Sequence, residues 1–219
     1  MMRIHGIKSR VMAASFVACI MLGMAGCGKK AKDFDGAAIE SILVKNGSVK
    51  IQTYDEFMKF QEEDIPEDIL DAGYSKYVSF SGSDAQKLFN DRNQIYHEKT
   101  YYKVSDVLLM EAGKTATETS MDYVNIIWLD FESEEMAEEF YKNEIVDVGS
   151  GYVVHDVDIS GEKDGYNYLI TRAKAQTAGG GSYQMKDKII RISYNLKSLS
   201  DKTIEEICRE FGIKDPLKA

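Results

Sequence analysis

Val124-Asn-Ile-Ile-Trp-Leu-Asp-Phe131 decides how this chain folds. Apolar residues occupy both alternating faces of the stretch: Val124, Ile126 and Trp128 on one, Ile127, Leu129 and Phe131 on the other. A strand with one wet face would alternate apolar with polar residues, so this pattern predicts a central strand covered on both sides. Upstream, Tyr101 to Met110 reads as a second long strand, with Ala112 to Ala116 as the turn into Thr117–Phe131. Downstream, Ser133 caps a helix that carries Met136, Ala137, Phe140 and Tyr141 on one stripe.

The C-terminal part supplies three more strands, Tyr152–Ser160, Tyr166–Ala173 and Gln184–Leu196. Gly161 to Gly165 makes a tight turn between the first two, and Gly179-Gly180-Gly181 is expected as a mobile loop before the third. The last helix runs from Asp201 to Phe211, with Ser200 as N-cap and Gly212 as its stop. Its Ile204, Ile207, Cys208 and Phe211 stand at i, i+3, i+4 and i+7, one apolar face.

Toward the N-terminus, Asn46-Gly47 lies between Ile-Leu-Val-Lys and Ser-Val-Lys-Ile and predicts a hairpin over Ile42–Ile51. Thr53 and Glu56 form a capping box that opens a helix with Phe57, Met58 and Phe60. Pro66 starts a short helix ended by Gly73. Tyr77–Phe80 is a strand, and Ser83 to Asp91 a helix. Short connections between successive strands favour antiparallel neighbours, because parallel ones need long crossovers. The fold class is therefore α+β, a mainly antiparallel sheet with packed helices. The Ser-capped helices at Ser83 and Ser133 each follow a strand ending in Phe, Phe80 and Phe131. That echo makes an internal duplication into ferredoxin-like halves the alternative arrangement.

The first residues carry an address. Arg3, Lys8 and Arg10 precede an uncharged run from Val11 to Met24. A membrane-spanning helix needs about 20 apolar residues, so this shorter run fits the h-region of a signal peptide. Leu22-Gly23-Met24-Ala25-Gly26-Cys27-Gly28 then resembles the lipobox of bacterial lipoproteins, with Met24 in place of the usual leucine. The resemblance covers only these residues. It implies a diacylglyceryl group on Cys27, cleavage between Gly26 and Cys27, and anchoring to the bilayer on the extracytoplasmic face of the cell membrane. Stable anchoring takes about two acyl chains, which such a modification supplies. The chain divides accordingly into residues 1–26 as signal peptide, 27–38 as lipidated cysteine and tether, and 39–219 as a single α+β domain.

Processing changes the chemistry left in the chain. Twenty-seven basic and 36 acidic residues give a net charge of −9. Removing the leader, with its three basic and no acidic residues, leaves 24 basic against 36 acidic, a charge of −12. That balance argues against nucleic acid as a partner, because phosphate contacts need clustered Lys and Arg. Cys19 leaves with the leader and Cys27 is taken by lipid, so Cys208 remains without a disulfide partner. Its place on the apolar face of the last helix makes it an inert small hydrophobe.

Catalytic constellations are missing from the remainder. His97 reads as a loop residue and His155 as a packed strand histidine, without metal-ligand spacing. Ser160-Gly-Glu-Lys163 matches Ser-x-x-Lys by letters only, since it falls at a hairpin tip rather than a helix start. Acids cluster at Glu62-Glu63-Asp64, Glu67-Asp68 and Glu132 to Glu139, which reads as a solvated surface. Asp156, Asp158, Glu162 and Asp164 are the best calcium candidates and lack a spaced Asp/Asn-Gly loop. Tyr96, Tyr101, Tyr102, Tyr152, Tyr166, Tyr168 and Tyr183 concentrate near strand ends, and ordinary packing is their favoured role. No catalytic residue, metal or cofactor is expected. The sequence thus predicts a non-catalytic binding or interaction module of the cell envelope, partnered by an envelope protein or a cell-wall ligand. The alternatives are a carboxylate-dependent envelope hydrolase and an accessory subunit of a membrane complex.

Overall fold

The computed structural model describes residues 30–62, 65–93, 102–117, 120–147, 157–173, 178–197 and 199–219. Among these residues, eight strands form one sheet in the order β1-β2-β3-β4-β8-β7-β6-β5. They are β1 (Val49–Lys50), β2 (Tyr74–Ser81), β3 (Val104–Thr117), β4 (Ser120–Phe131), β5 (Val157–Lys163), β6 (Tyr166–Arg172), β7 (Ala178–Met185) and β8 (Lys188–Asn195). All neighbouring pairs are antiparallel except the short β1, which runs parallel to β2. The α+β class with a mainly antiparallel sheet is the architecture observed.

β4 is central, hydrogen-bonded to β3 on one side and β8 on the other. Its Val124, Ile126 and Trp128 pack in one core with helices α1 (Gly36–Lys45) and α6 (Lys202–Phe211). Leu129 and Phe131 point the other way, toward α2 (Tyr54–Glu62), α4 (Gly82–Asn93), α5 (Glu134–Phe140) and the π-helical turn Tyr141–Asp147. The double apolar pattern of 124–131 is therefore explained by two helical layers around one sheet. The capping box is present, with Glu56 N–H donating to Thr53 Oγ1 at 3.2 Å and Thr53 N–H to Glu56 Oε2 at 3.3 Å. Glu67–Ala72 (α3) follows Pro66 and stops at Gly73. Ser133 caps α5, its side chain accepting from Met136 N–H.

Several expectations are corrected. Ile42–Ile51 is not a hairpin: residues up to Lys45 belong to α1, and Asn46 is its C-cap, with Gly47 at φ +85°. Asn-Gly serves a helix exit as readily as a type I′ turn, since both use positive φ. The helix prevails because Ile39 and Leu43, four apart, are fully buried, each burial contributing about 1.5–3 kcal/mol. Asp35 adds an N-cap, accepting from Ala37 N–H at 3.0 Å. Residues 32–38, expected within the tether, belong to the fold: Phe34 is in the core and Lys32 N–H donates to Phe211 O at 3.0 Å.

Ala112 to Ala116 continue β3 rather than turning, and β3 stays paired with β4 as far as Thr117 with Ser120. Gln184–Leu196 is two strands, divided after Met185 by a turn in which Lys186 has φ +53°. Gly179-Gly180-Gly181 is the body of β7, not a loop. Tyrosine rings take the space that side chains would fill: a Cβ on Gly179 would meet Tyr194 Oη at 2.7 Å, and one on Gly181 would overlap the Tyr183 hydroxyl. Neither half of the sheet has the interleaved strand order of a ferredoxin-like unit. α4 joins neighbouring strands, whereas α5 precedes β5 at the far edge.

Candidate ligand pocket

Tyrosines on the α6 side of the sheet build the platform of the site. Tyr166 and Tyr168 of β6, Tyr183 of β7 and Tyr194 of β8 are all buried there. Their hydroxyls reach the chain that follows Gly212. Tyr183 donates to Lys214 O at 2.6 Å, and Tyr194 to Pro216 O at 3.1 Å. Tyr166 Oη accepts from Lys214 N–H at 3.0 Å, and Tyr168 Oη from Lys214 Nζ at 2.7 Å. Arg172 Nη1 donates to Leu217 O at 3.2 Å. Buried backbone carbonyls need donors, and here the sheet supplies them from side chains. Burial pushes the Tyr183 phenol well above its ordinary range, and Tyr166 and Tyr194 in the same direction. All three are neutral donors or acceptors at ordinary pH.

Where this platform ends, Arg172, Tyr194, Leu196, Lys197, Leu199, Asp201 and Leu217 line a pocket of about 440 Å³. One wall is the segment after β8, held from below by Asp122. That carboxylate is fully buried, and its Oδ2 accepts from the backbone N–H groups of Lys197 and Leu199, each at 2.9 Å. Asp122 shares its strand face with Val124 and Ile126, so an acid stands in register with the core. Hydrogen bonds to the charged form are what make such burial tolerable. The other wall is the clasped tail with Leu217. Two cations, Arg172 and Lys197, face one carboxylate, Asp201, in a chain whose overall charge is −9.

The pocket and the beginning of the fold lie at opposite ends of β4. Tyr123 pairs with Asn195 at the pocket end, and Asp130 with Lys188 at the other. Trp128 Nε1 donates to Phe34 O at 2.9 Å, and Asp33 pairs with Lys186 at 3.5 Å. Six residue steps separate Asp122 from Trp128, about 20 Å of strand.

That far end carries a second polar group. Asp106, Asp130 and Lys188 stand in one cross-strand row, with Lys188 Nζ 2.9 Å from Asp187 and 3.7 Å from Asp130. Burial raises the Asp130 carboxyl, partly opposed by Lys188. Ser81 Oγ donates to Asp106.

Residues singled out from the sequence fall elsewhere. The lipidation and cleavage positions Gly26 and Cys27, and both His97 and His155, lie outside the described residues, as do Tyr96, Tyr101, Tyr152 and Asp156. Cys208 is 4% exposed among Ile204, Ile207 and Phe211, and burial drives its thiol upward. Ser160 and Lys163 are exposed on β5, and the hairpin turn is Asp164-Gly165, both at positive φ. Glu67, Asp68, Glu134, Glu135, Glu138 and Glu139 are exposed. Tyr102, Tyr166, Tyr168 and Tyr183 are buried, so packing is the role of these four. Among the described residues, no group of three or more His, Cys, Asp or Glu could hold a metal ion. No helix among them is long and apolar enough to cross a membrane.

Sequence reasoning missed Asp122, Arg172 and the Lys197–Asp201 segment. For Asp122 a signal exists, an acid at a core-facing position two residues before Val124. Arg172 and Lys197 look like ordinary strand-end cations.

The sequence matches no family model and no curated protein. Among solved structures, the extracellular domain of PknH from Mycobacterium tuberculosis is similar at a TM-score of 0.39 and 8% identity. The match covers 86% of this chain and 100% of that one.

Proposed function

We propose that this protein is a lipid-anchored, extracytoplasmic binding module, non-catalytic, held at the cell membrane through Cys27. The supporting observation is the separation between the start of the fold and the pocket. Seven residues from Cys27 to Phe34 span at most about 25 Å, so the Phe34 end of the sheet stays near the lipid. The pocket lies about 20 Å further along β4, at the end remote from Phe34. The acidic chain is also repelled by anionic headgroups, which favours the same display. A pocket holding a single carboxylate suits capture of a ligand better than acid–base hydrolysis, which needs two carboxyl groups about 5–10 Å apart.

Metabolic labelling with a fatty acid tests the anchor. The full chain should incorporate label and sediment with membranes, and Cys27→Ala should do neither. Unchanged labelling in that variant removes the proposal. A second reading, the carboxylate hydrolase, draws on Asp130, whose carboxyl burial raises beside Asp106. It requires turnover of a cell-wall glycan that Asp130→Asn abolishes; identical product profiles for both proteins dismiss it.

A further inference from the structure

We infer that the pocket between β6, β8 and the C-terminal tail takes a small organic anion, a carboxylate on an aliphatic body. The inference rests on the binding-module reading and names the ligand class of that module. Its volume, about 440 Å³, falls in the range of roughly 300–1,000 Å³ usual for small-molecule sites. Arg172 has a planar fork that matches a carboxylate, and among the described residues its guanidinium is hydrogen-bonded only through Nη1, to Leu217 O. Lys197, exposed in the lining and donating from Nζ to Ser120 Oγ at a long 3.5 Å, adds a second cation whose backbone Asp122 fixes. Leu196, Leu199 and Leu217 offer aliphatic surface between these charges, and the Tyr194 ring adds an aromatic wall. A purely inorganic anion would leave that apolar lining without a partner. A membrane lipid headgroup is disfavoured by position, because the pocket lies at the end of β4 opposite Phe34 and Trp128. Asp201 faces the same space and opposes an anion, which sets a prediction of opposite sign.

The test is isothermal titration calorimetry on the full-length protein in non-ionic detergent at low ionic strength, with sodium hexanoate and hexylamine as probes. Hexanoate should bind saturably, and hexylamine at least about tenfold more weakly. Arg172→Gln should weaken hexanoate about tenfold, the loss of one charge-assisted contact. Asp201→Asn should tighten it about two- to threefold, as expected when a screened like charge is removed. Because Arg172 also holds the tail, Leu199→Glu serves as an independent variant: it puts a carboxylate in the pocket while leaving the Arg172 to Leu217 O hydrogen bond in place, and it should abolish hexanoate binding. Equal binding of both probes, hexanoate binding insensitive to Leu199→Glu, or no binding of hexanoate each overturns the inference. If hexanoate fails while Cys27 is still labelled by fatty acid, the ligand class alone is wrong. Absence of that label refutes the anchored reading whatever the pocket binds.

Discussion

Asp122→Ala isolates the wall of the pocket from the rest of the fold. The wild-type carboxylate accepts two backbone N–H groups, from Lys197 and Leu199, at 2.9 Å each. Hydrogen bonds to a charged acceptor contribute about 1.5–3 kcal/mol apiece, so the pair is worth about 3–6 kcal/mol before offsets. Alanine also removes the cost of burying the polar group, which offsets about 1–3 kcal/mol of that. The net expected loss is about 2–3 kcal/mol. For a chain of this size each kcal/mol shifts Tm by about 2–4 °C, giving a fall of about 4–12 °C. Circular dichroism on heating reads the shift, and hydrogen exchange should show the Lys197 and Leu199 amides losing protection while β4 keeps its own. Asp122→Asn retains an oxygen acceptor and should recover more than half of the loss. A Tm within about 1 °C of wild type, against the shift expected for such a loss, with both amides still protected, would falsify the claim that Asp122 holds this wall.

Three further outcomes are expected. Lowering pH should destabilise the fold through Glu40, whose carboxyl is held down chiefly by the Lys50 hydrogen bond and also by that from Tyr77; a depressed acid stabilises above its unfolded pKa and that stability is lost as pH falls through the folded one. Asp130, raised by burial, has the opposite sign, favouring the fold at low pH and losing that contribution as pH rises through its folded pKa. Urea midpoints across the acidic to neutral range should therefore fall less on acidification in Glu40→Gln, and rise at neutral pH in Asp130→Asn. Gly181→Ala should cost about 1–3 kcal/mol by overpacking, since its Cβ would overlap the buried Tyr183 hydroxyl; unfolding at an unchanged urea concentration speaks against the tyrosine platform. Cys208 should resist alkylation in the native protein and react fully in urea, because burial keeps its thiol protonated; peptide mapping that finds native modification at Cys208 contradicts its packing.

Particular elements show how far the chain can be read. The apolar faces of α6 and β4 are legible because their periodicity reports burial directly, residue by residue. The Thr53–Glu56 box is legible because both partners are three residues apart and the interaction is local. Asn46-Gly47 misleads because its turn chemistry is shared by two structures, and the choice between them is made by Ile39 and Leu43 joining a core with α6, at the other end of the chain. Gly179 to Gly181 mislead for a related reason: glycine normally signals a loop, but here it is a strand made thin so that Tyr183 and Tyr194 can cross it. The turn at Lys186 carries no glycine or asparagine, and Asp187 is its one local mark.

By itself, the sequence determined the α+β class, the central strand at 124–131, the final amphipathic helix and an expectation of lipid at Cys27. These depend on spacing along the chain, which folding does not alter. The pocket was decided only by tertiary structure. Arg172, Lys197 and Leu217 come from a strand, a connecting segment and the tail, and they converge because β6 and β8 flank β7 and because Asp122 and four tyrosines fix the segments between them. Convergence of that kind is a property of strand order and side-chain contacts at long range, and no local pattern encodes it.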